Sequence, residues 1–131
     1  MRRVPQLDPD GCGIACVAML TGEEYKTIRK KMFPDGNVKR TETRDLKPVL
    51  EFYGCKVAVK LVPIKPPSKY KDLDFDAILR VERKKSDPKG GHWIIWDSTR
   101  QMILDPCREK PGRYRSVPYP VQYLRVVRPE I

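Results

Sequence analysis

Cys12 is the residue with the clearest capacity for chemistry, because it stands where a thiol can become a nucleophile. It lies in the stretch VPQLDPDGCGIACVAM, residues 4–19, just as a small apolar run begins. That run, GCGIACVAMLT over residues 11–21, reads as a helix buried on nearly all sides. A thiol at a helix N-terminus feels the positive end of the backbone dipole, which favours the thiolate. Gly11 and Gly13 allow a tight turn and are expected to leave room for a substrate to reach the sulfur. Read on position alone, Cys12 is a small buried hydrophobe, the role expected for Cys16.

The second half of the chain shifts that balance. His92 is the one histidine, at the start of the run HWIIWD, residues 92–97. A second run, QMILD, covers residues 101–105. With Ser98-Thr99 as a two-residue turn, Ile94 pairs with Ile103, Trp96 with Gln101 and His92 with Asp105. Directly opposed side chains are about 4.5–5.5 Å apart at Cβ, close enough for an imidazole–carboxylate hydrogen bond. Asp105 would then orient the ring, and the other ring nitrogen would be left for a thiol. Nucleophile, base and orienter make a Cys-His-Asp set suited to acyl transfer.

These residues need a scaffold, and the chain divides into a helical part over about 11–53 and a β-rich part over about 55–128. Gly22 ends the first helix. Residues 23–33 carry Tyr25, Ile28 and Met32 at helical spacing, with acids first and bases last, and Pro34-Asp35-Gly36 closes the segment. Thr43 is a candidate cap for a third helix over 44–53, with Leu46, Val49, Leu50 and Tyr53 as its stripe and Pro48 near its first turn. Strands are expected at 56–62, 76–83, 92–97, 101–105 and 121–127. A Pro/Lys-rich loop over 63–69 and a polar turn over 86–91 separate some of them. Helices first and strands afterwards imply an α+β domain with helices packed on an antiparallel sheet.

Composition sets the outer bounds. The chain of 131 residues is one domain's length. Its longest apolar run, residues 14–20, is far too short to span a membrane, so no membrane association is expected. Residues 4–10 (VPQLDPD) form no signal-type hydrophobic region, which places the chain in the cytoplasm. In that reducing compartment the four cysteines, Cys12, Cys16, Cys55 and Cys107, are not expected to form disulfides. With no CxxC pair and no second histidine, neither a metal nor any other cofactor is expected. Lys+Arg exceed Asp+Glu by 27 − 17 = 10 charges. The cations are scattered and no nucleic-acid motif accompanies them, so nucleic acid is a disfavoured partner. A basic surface instead favours an acidic peptide or protein substrate.

Gln6, Cys12-Gly13, Ala15-Cys16, His92-Trp93-Ile94-Ile95 and Asp105-Pro106 together resemble the papain-like cysteine peptidases that process bacteriocin leader peptides at double-glycine sites. Those domains show a Gln shortly before the nucleophile, a helix opening of D-C-G-x-A-C type, a later His strand and an Asp-Pro after the next strand. The likeness extends over nearly the whole chain. It implies a papain-like fold in a single domain, 1–131. Cys12 would be nucleophile, His92 general base and Asp105 its orienter, with Gln6 donating to the oxyanion beside the Cys12 backbone N–H. Gly11 departs from the pattern by standing where the family commonly has Asp next to the cysteine. Without a transporter segment, the chain resembles a free-standing member of the kind encoded by bacteria and phages. The expected activity is cleavage or acyl transfer on a peptide or isopeptide. Two other readings remain: a catalytically silent peptide-binding module of the same fold, and a basic accessory protein associated with nucleic acid.

Overall fold

The computed structural model describes residues 1–65, 69–81, 92–107 and 120–129. Among the described residues three α-helices precede an antiparallel sheet, an α+β arrangement. Helix α1 spans Cys12–Thr21, and all its residues from Gly13 to Leu20 are buried. Small side chains at Gly13, Ala15, Cys16 and Ala18 let neighbours approach closely from every side. Gly22 ends it at φ +77, its N–H donating to the Ala18 carbonyl. Helix α2, Tyr25–Met32, buries Tyr25 and Ile28, and Met32 packs against the same core. It starts later than the charge pattern predicts, because Glu24 is still extended. Helix α3, Thr43–Phe52, buries Leu46, Val49 and Leu50. Its N-cap is Glu42 rather than Thr43: the Glu42 N–H donates to Asp45 Oδ2 at 2.8 Å, closing the first turn. Pro48 lies inside the helix, on an exposed position, where it brings no N–H to the helix ladder.

The strands are β1 (Lys56–Val57), β2 (Val62–Pro63), β3 (Ala77–Val81), β4 (His92–Asp97), β5 (Met102–Leu104) and β6 (Pro120–Val127). Their order is β1-β6-β3-β4-β5, with β2 also on β6. The single strand expected over 56–62 is therefore split in two. β1 pairs at Val126 and Val127 and β2 at Gln122 and Tyr123, so residues 58–61 lie opposite only Leu124 and Arg125. The surplus bulges outward and leaves Val59 85% exposed. Among the described residues the strand expected over 76–83 ends at Val81. The turn expected over 86–91 lies outside the described residues.

The sheet is covered on both faces. Ile78, Trp93, Ile95, Leu104, Leu124 and Val126 meet the helices. Leu79, Ile94, Trp96 and Ile103 pack on the other side against Tyr70, Leu73 and Phe75. This double cover explains why every residue of β4 is buried.

The β4–β5 hairpin differs from its expected register. Partners are Ile95 with Leu104, Trp96 with Ile103 and Asp97 with Met102, so residues 98–101 form a four-residue connection. Ser98 is captured by Asp76, whose Oδ1 accepts its N–H and its hydroxyl, each at 2.9 Å. Asp97 Oδ1 accepts the Arg100 N–H at 3.2 Å, and Gln101 takes φ +55. The change is two residues, an even number, so side chains stay on their expected faces. His92 and Asp105 become diagonal rather than direct neighbours.

The glycines around Cys12 do not hold space for a substrate, as their small size first implies. A Cβ on Gly11 would strike the Tyr25 hydroxyl, and one on Gly13 would strike the Thr41 side chain and approach Leu46 Cδ2 to 2.9 Å. That space is filled by the protein itself. Gly13→Ala is therefore expected to destabilise the fold by about 1–3 kcal/mol in denaturant unfolding despite alanine's better helix propensity. A neutral or stabilising result would show that α1 and the 41–46 segment are not in close contact.

Candidate functional site

Cys12 is the first residue of α1 and is partly exposed. The first bond into the helix runs from the Ala15 N–H to the Gly11 carbonyl at 3.0 Å, and Gly11 provides no side-chain cap. Among the described residues, the N–H groups of Cys12, Gly13 and Ile14 consequently have no acceptor, which concentrates positive potential beside the thiol.

The loop ahead of Cys12 is tied down through Asp8. Asp8 Oδ2 accepts the Tyr25 hydroxyl at 2.6 Å and Arg29 Nε at 3.1 Å, while its carbonyl accepts the Gly11 N–H at 3.0 Å. Burial and the bond to Asp8 push the Tyr25 phenol well up, so it remains a donor. Gln6 also serves this loop. Its Nε2 donates to the carbonyls of Asp8 and Pro9, both at 3.0 Å, and its Oε1 is buried without a partner. Both amide N–H bonds are thus committed to backbone, and donation to an oxyanion requires Gln6 to exchange one of them.

His92 and Asp105 meet as the spacing predicts, by a different register. Nε2 of His92 lies 2.8 Å from Asp105 Oδ1, and both side chains are buried. The Asp-Pro-Cys sequence explains how the carboxylate is held. A residue before proline is confined to extended backbone. Asp105 Oδ1 then accepts the N–H of Cys107, two residues on, at 2.8 Å. The N-terminal segment clamps the same turn from outside: Arg3 donates Nε to the Asp105 carbonyl at 2.8 Å and Nη2 to the Cys107 carbonyl. The Gln6 N–H donates to the Pro106 carbonyl at 2.8 Å. Neither Arg3 nor Asp8 carries a signal in the sequence that separates it from other surface charges.

With Nε2 taken by Asp105, Nδ1 is the nitrogen left for the thiol. Burial is the largest single influence on the His92 ring and opposes its charge. Hydrogen bonding to Asp105 and to Cys12, with their negative charge, outweighs it and raises His92 from 6.5 to about 9. Cys16, one turn along α1, is fully buried; burial first, then the proximity of Cys12 and Asp105, pushes its thiol far up and leaves it inert.

Cys12 opens onto a cleft of about 370 Å³ whose walls include Arg40, Thr41, Leu61, Arg80 and Trp93. The Trp93 indole N–H fixes one wall by donating to the Thr41 carbonyl at 2.9 Å. A larger cleft of about 820 Å³ lies between the N-terminal segment, the end of α1 and β6, but no cysteine or histidine lines it. Among the described residues, no three His, Cys, Asp or Glu side chains are grouped to hold a metal ion, and no helix is long and apolar enough to cross a membrane. No protein-family model matches the chain, and no curated protein is significantly similar to it.

Because His92 is the only histidine, its ring can be followed directly by NMR. Its titration midpoint is expected near 9 and is expected to fall in Asp105→Asn, which removes the charge that favours the imidazolium. A group raised on folding adds stability that is full below pH 6.5 and is lost as pH rises through about 9. A wild-type midpoint at or below 6.5 would rule out the charged pairing.

Proposed function

We propose that this protein is a cysteine peptidase, or a peptidase-like acyl-transfer hydrolase, of papain-like type acting on a peptide or isopeptide bond. The observation that carries this reading is the environment of His92: Asp105 at 2.8 Å on one nitrogen and the Cys12 thiol acting on the ring. Cys12 stands at an uncapped helix N-terminus and in the wall of a cleft.

In this reading the Cys12 thiolate attacks the carbonyl carbon, and the C–O π electrons move onto oxygen. The Cys12 backbone N–H donates to that oxyanion, joined by Gln6 once it exchanges one of its two carbonyl bonds. The His92 imidazolium protonates the leaving amine as the tetrahedral intermediate collapses to a thioester. Neutral His92 then takes a proton from water, which attacks the thioester and releases the acid and the thiolate. Asp105 holds Nε2–H throughout, so Nδ1 always faces the sulfur. An amine in place of water would give transpeptidation through the same intermediate.

Two measurements bear on these roles. Cys12 should be alkylated by iodoacetamide faster than free cysteine at neutral pH, as read by peptide mass spectrometry, and His92→Ala should slow it by about 10²-fold or more. A Cys12 no faster than free cysteine and indifferent to His92 would end the peptidase reading and leave the silent peptide-binding module and the basic nucleic-acid accessory protein. For Gln6, acylation of Cys12 by p-nitrophenyl acetate should slow by about 10²–10³-fold in Gln6→Ala. An unchanged rate would confine Gln6 to holding the Asp8–Pro9 turn.

A further inference from the structure

We propose that the cleft beside Cys12 recognises a carboxylate on the substrate through Arg40 and Arg80, an inference that rests on the acyl-transfer reading of Cys12. The two guanidinium groups come from separate elements. Arg40 lies in the connection leading into α3 and is exposed, whereas Arg80 lies within β3, between the central strands β4 and β6. β3 reads AILRV, and Arg80 is its one residue that is not buried. A cation within such a strand requires water or an anion to meet it, and the cleft beside Cys12 admits either.

The site has charge left over for a ligand. Among the described residues neither arginine pairs with a carboxylate, and Arg80 reaches only Gln122 Oε1 at 3.5 Å. Glu42 shares the wall, but its carboxylate is met by Arg44 at 3.2 Å. Thr41 lines the same cleft, but its hydroxyl is packed against Gly13, which leaves recognition to the two arginines. Guanidinium forks match the planar geometry of a carboxylate, which a peptide offers at a free C-terminus or on an acidic side chain.

Paired reagents test this on the intact protein. Iodoacetate and iodoacetamide alkylate the same thiol by the same displacement of iodide and differ in one carboxylate. The ratio of their rates at Cys12 should exceed that for free cysteine at low salt. It should fall by about threefold in Arg40→Gln or Arg80→Gln and about tenfold in the double variant, and be retained by Arg→Lys. Because the quantity is a ratio within each variant, a general change in thiol reactivity cancels, and the charge of His92 acts alike in all of them. A ratio equal to that of free cysteine, or unchanged in the double variant, overturns the proposal. If instead iodoacetamide itself reacts no faster than with free cysteine, the catalytic reading fails while the ratio still reports the cleft. Protection of Cys12 from iodoacetamide then distinguishes the carboxylate's source. A C-terminally amidated Glu peptide that protects, where its Gln counterpart does not, assigns an acidic side chain. A Gln peptide that protects only with a free C-terminus assigns the chain end. Protection by neither overturns carboxylate recognition.

Discussion

The buried carboxylate of Asp105 is the constraint around which this end of the molecule is organised. At 3% exposure an ionised carboxylate requires strong donors; among the described residues two places in the chain supply them and a third holds the turn that carries it. β4 brings His92, the turn after β5 brings the Cys107 N–H, and the N-terminal segment fastens the turn itself through Arg3 and Gln6. Burial opposes charge on His92 as well, but hydrogen bonding to Asp105 and Cys12 and their negative charge outweigh it and leave the ring readily protonated. A cation beside a thiol is what nucleophilic sulfur chemistry needs, so the requirement of stability and the requirement of the proposed chemistry coincide.

Cys12 arrives at this pair by a different kind of constraint, close packing. Helix α1 is buried all round, so its position is set by contacts on every face rather than by one amphipathic stripe. Gly11 against the Tyr25 hydroxyl and Gly13 against Thr41 fix its first turn to within a methyl group. Asp8 then ties the preceding loop to α2 through Tyr25 and Arg29. The thiol is therefore held by a rigid helix start on one side, while the cleft lined by Arg40, Arg80 and Trp93 remains open on the other.

Much of this was legible from local pattern. Gly22 stops α1 as expected, and β4 begins and ends where the run HWIIWD does. The helical stripe of α3 buries the predicted Leu46, Val49 and Leu50. The features that escaped were those set by distant partners. Asp76 captures Ser98 and lengthens the hairpin connection by two residues. β6 has too few residues opposite 58–61, so an apparently continuous strand breaks. Gln6 shows the same limit within the site, because its amide is committed to two carbonyls that no spacing rule names.

The sequence by itself determined the class of fold, helices followed by an antiparallel sheet, and the identities of Cys12, His92 and Asp105 as residues that could work together. Periodicity and strand parity are local properties, and parity survives an even change of register, so the meeting of His92 with Asp105 did not depend on the correct turn. Only the tertiary structure decided how that meeting is supported: by Arg3 on the Asp105 turn, by Asp8 on the loop before Cys12, and by protein rather than substrate in the space beside the glycines. These contacts join segments far apart in the chain, and their strength comes from burial, which no local pattern of residues contains.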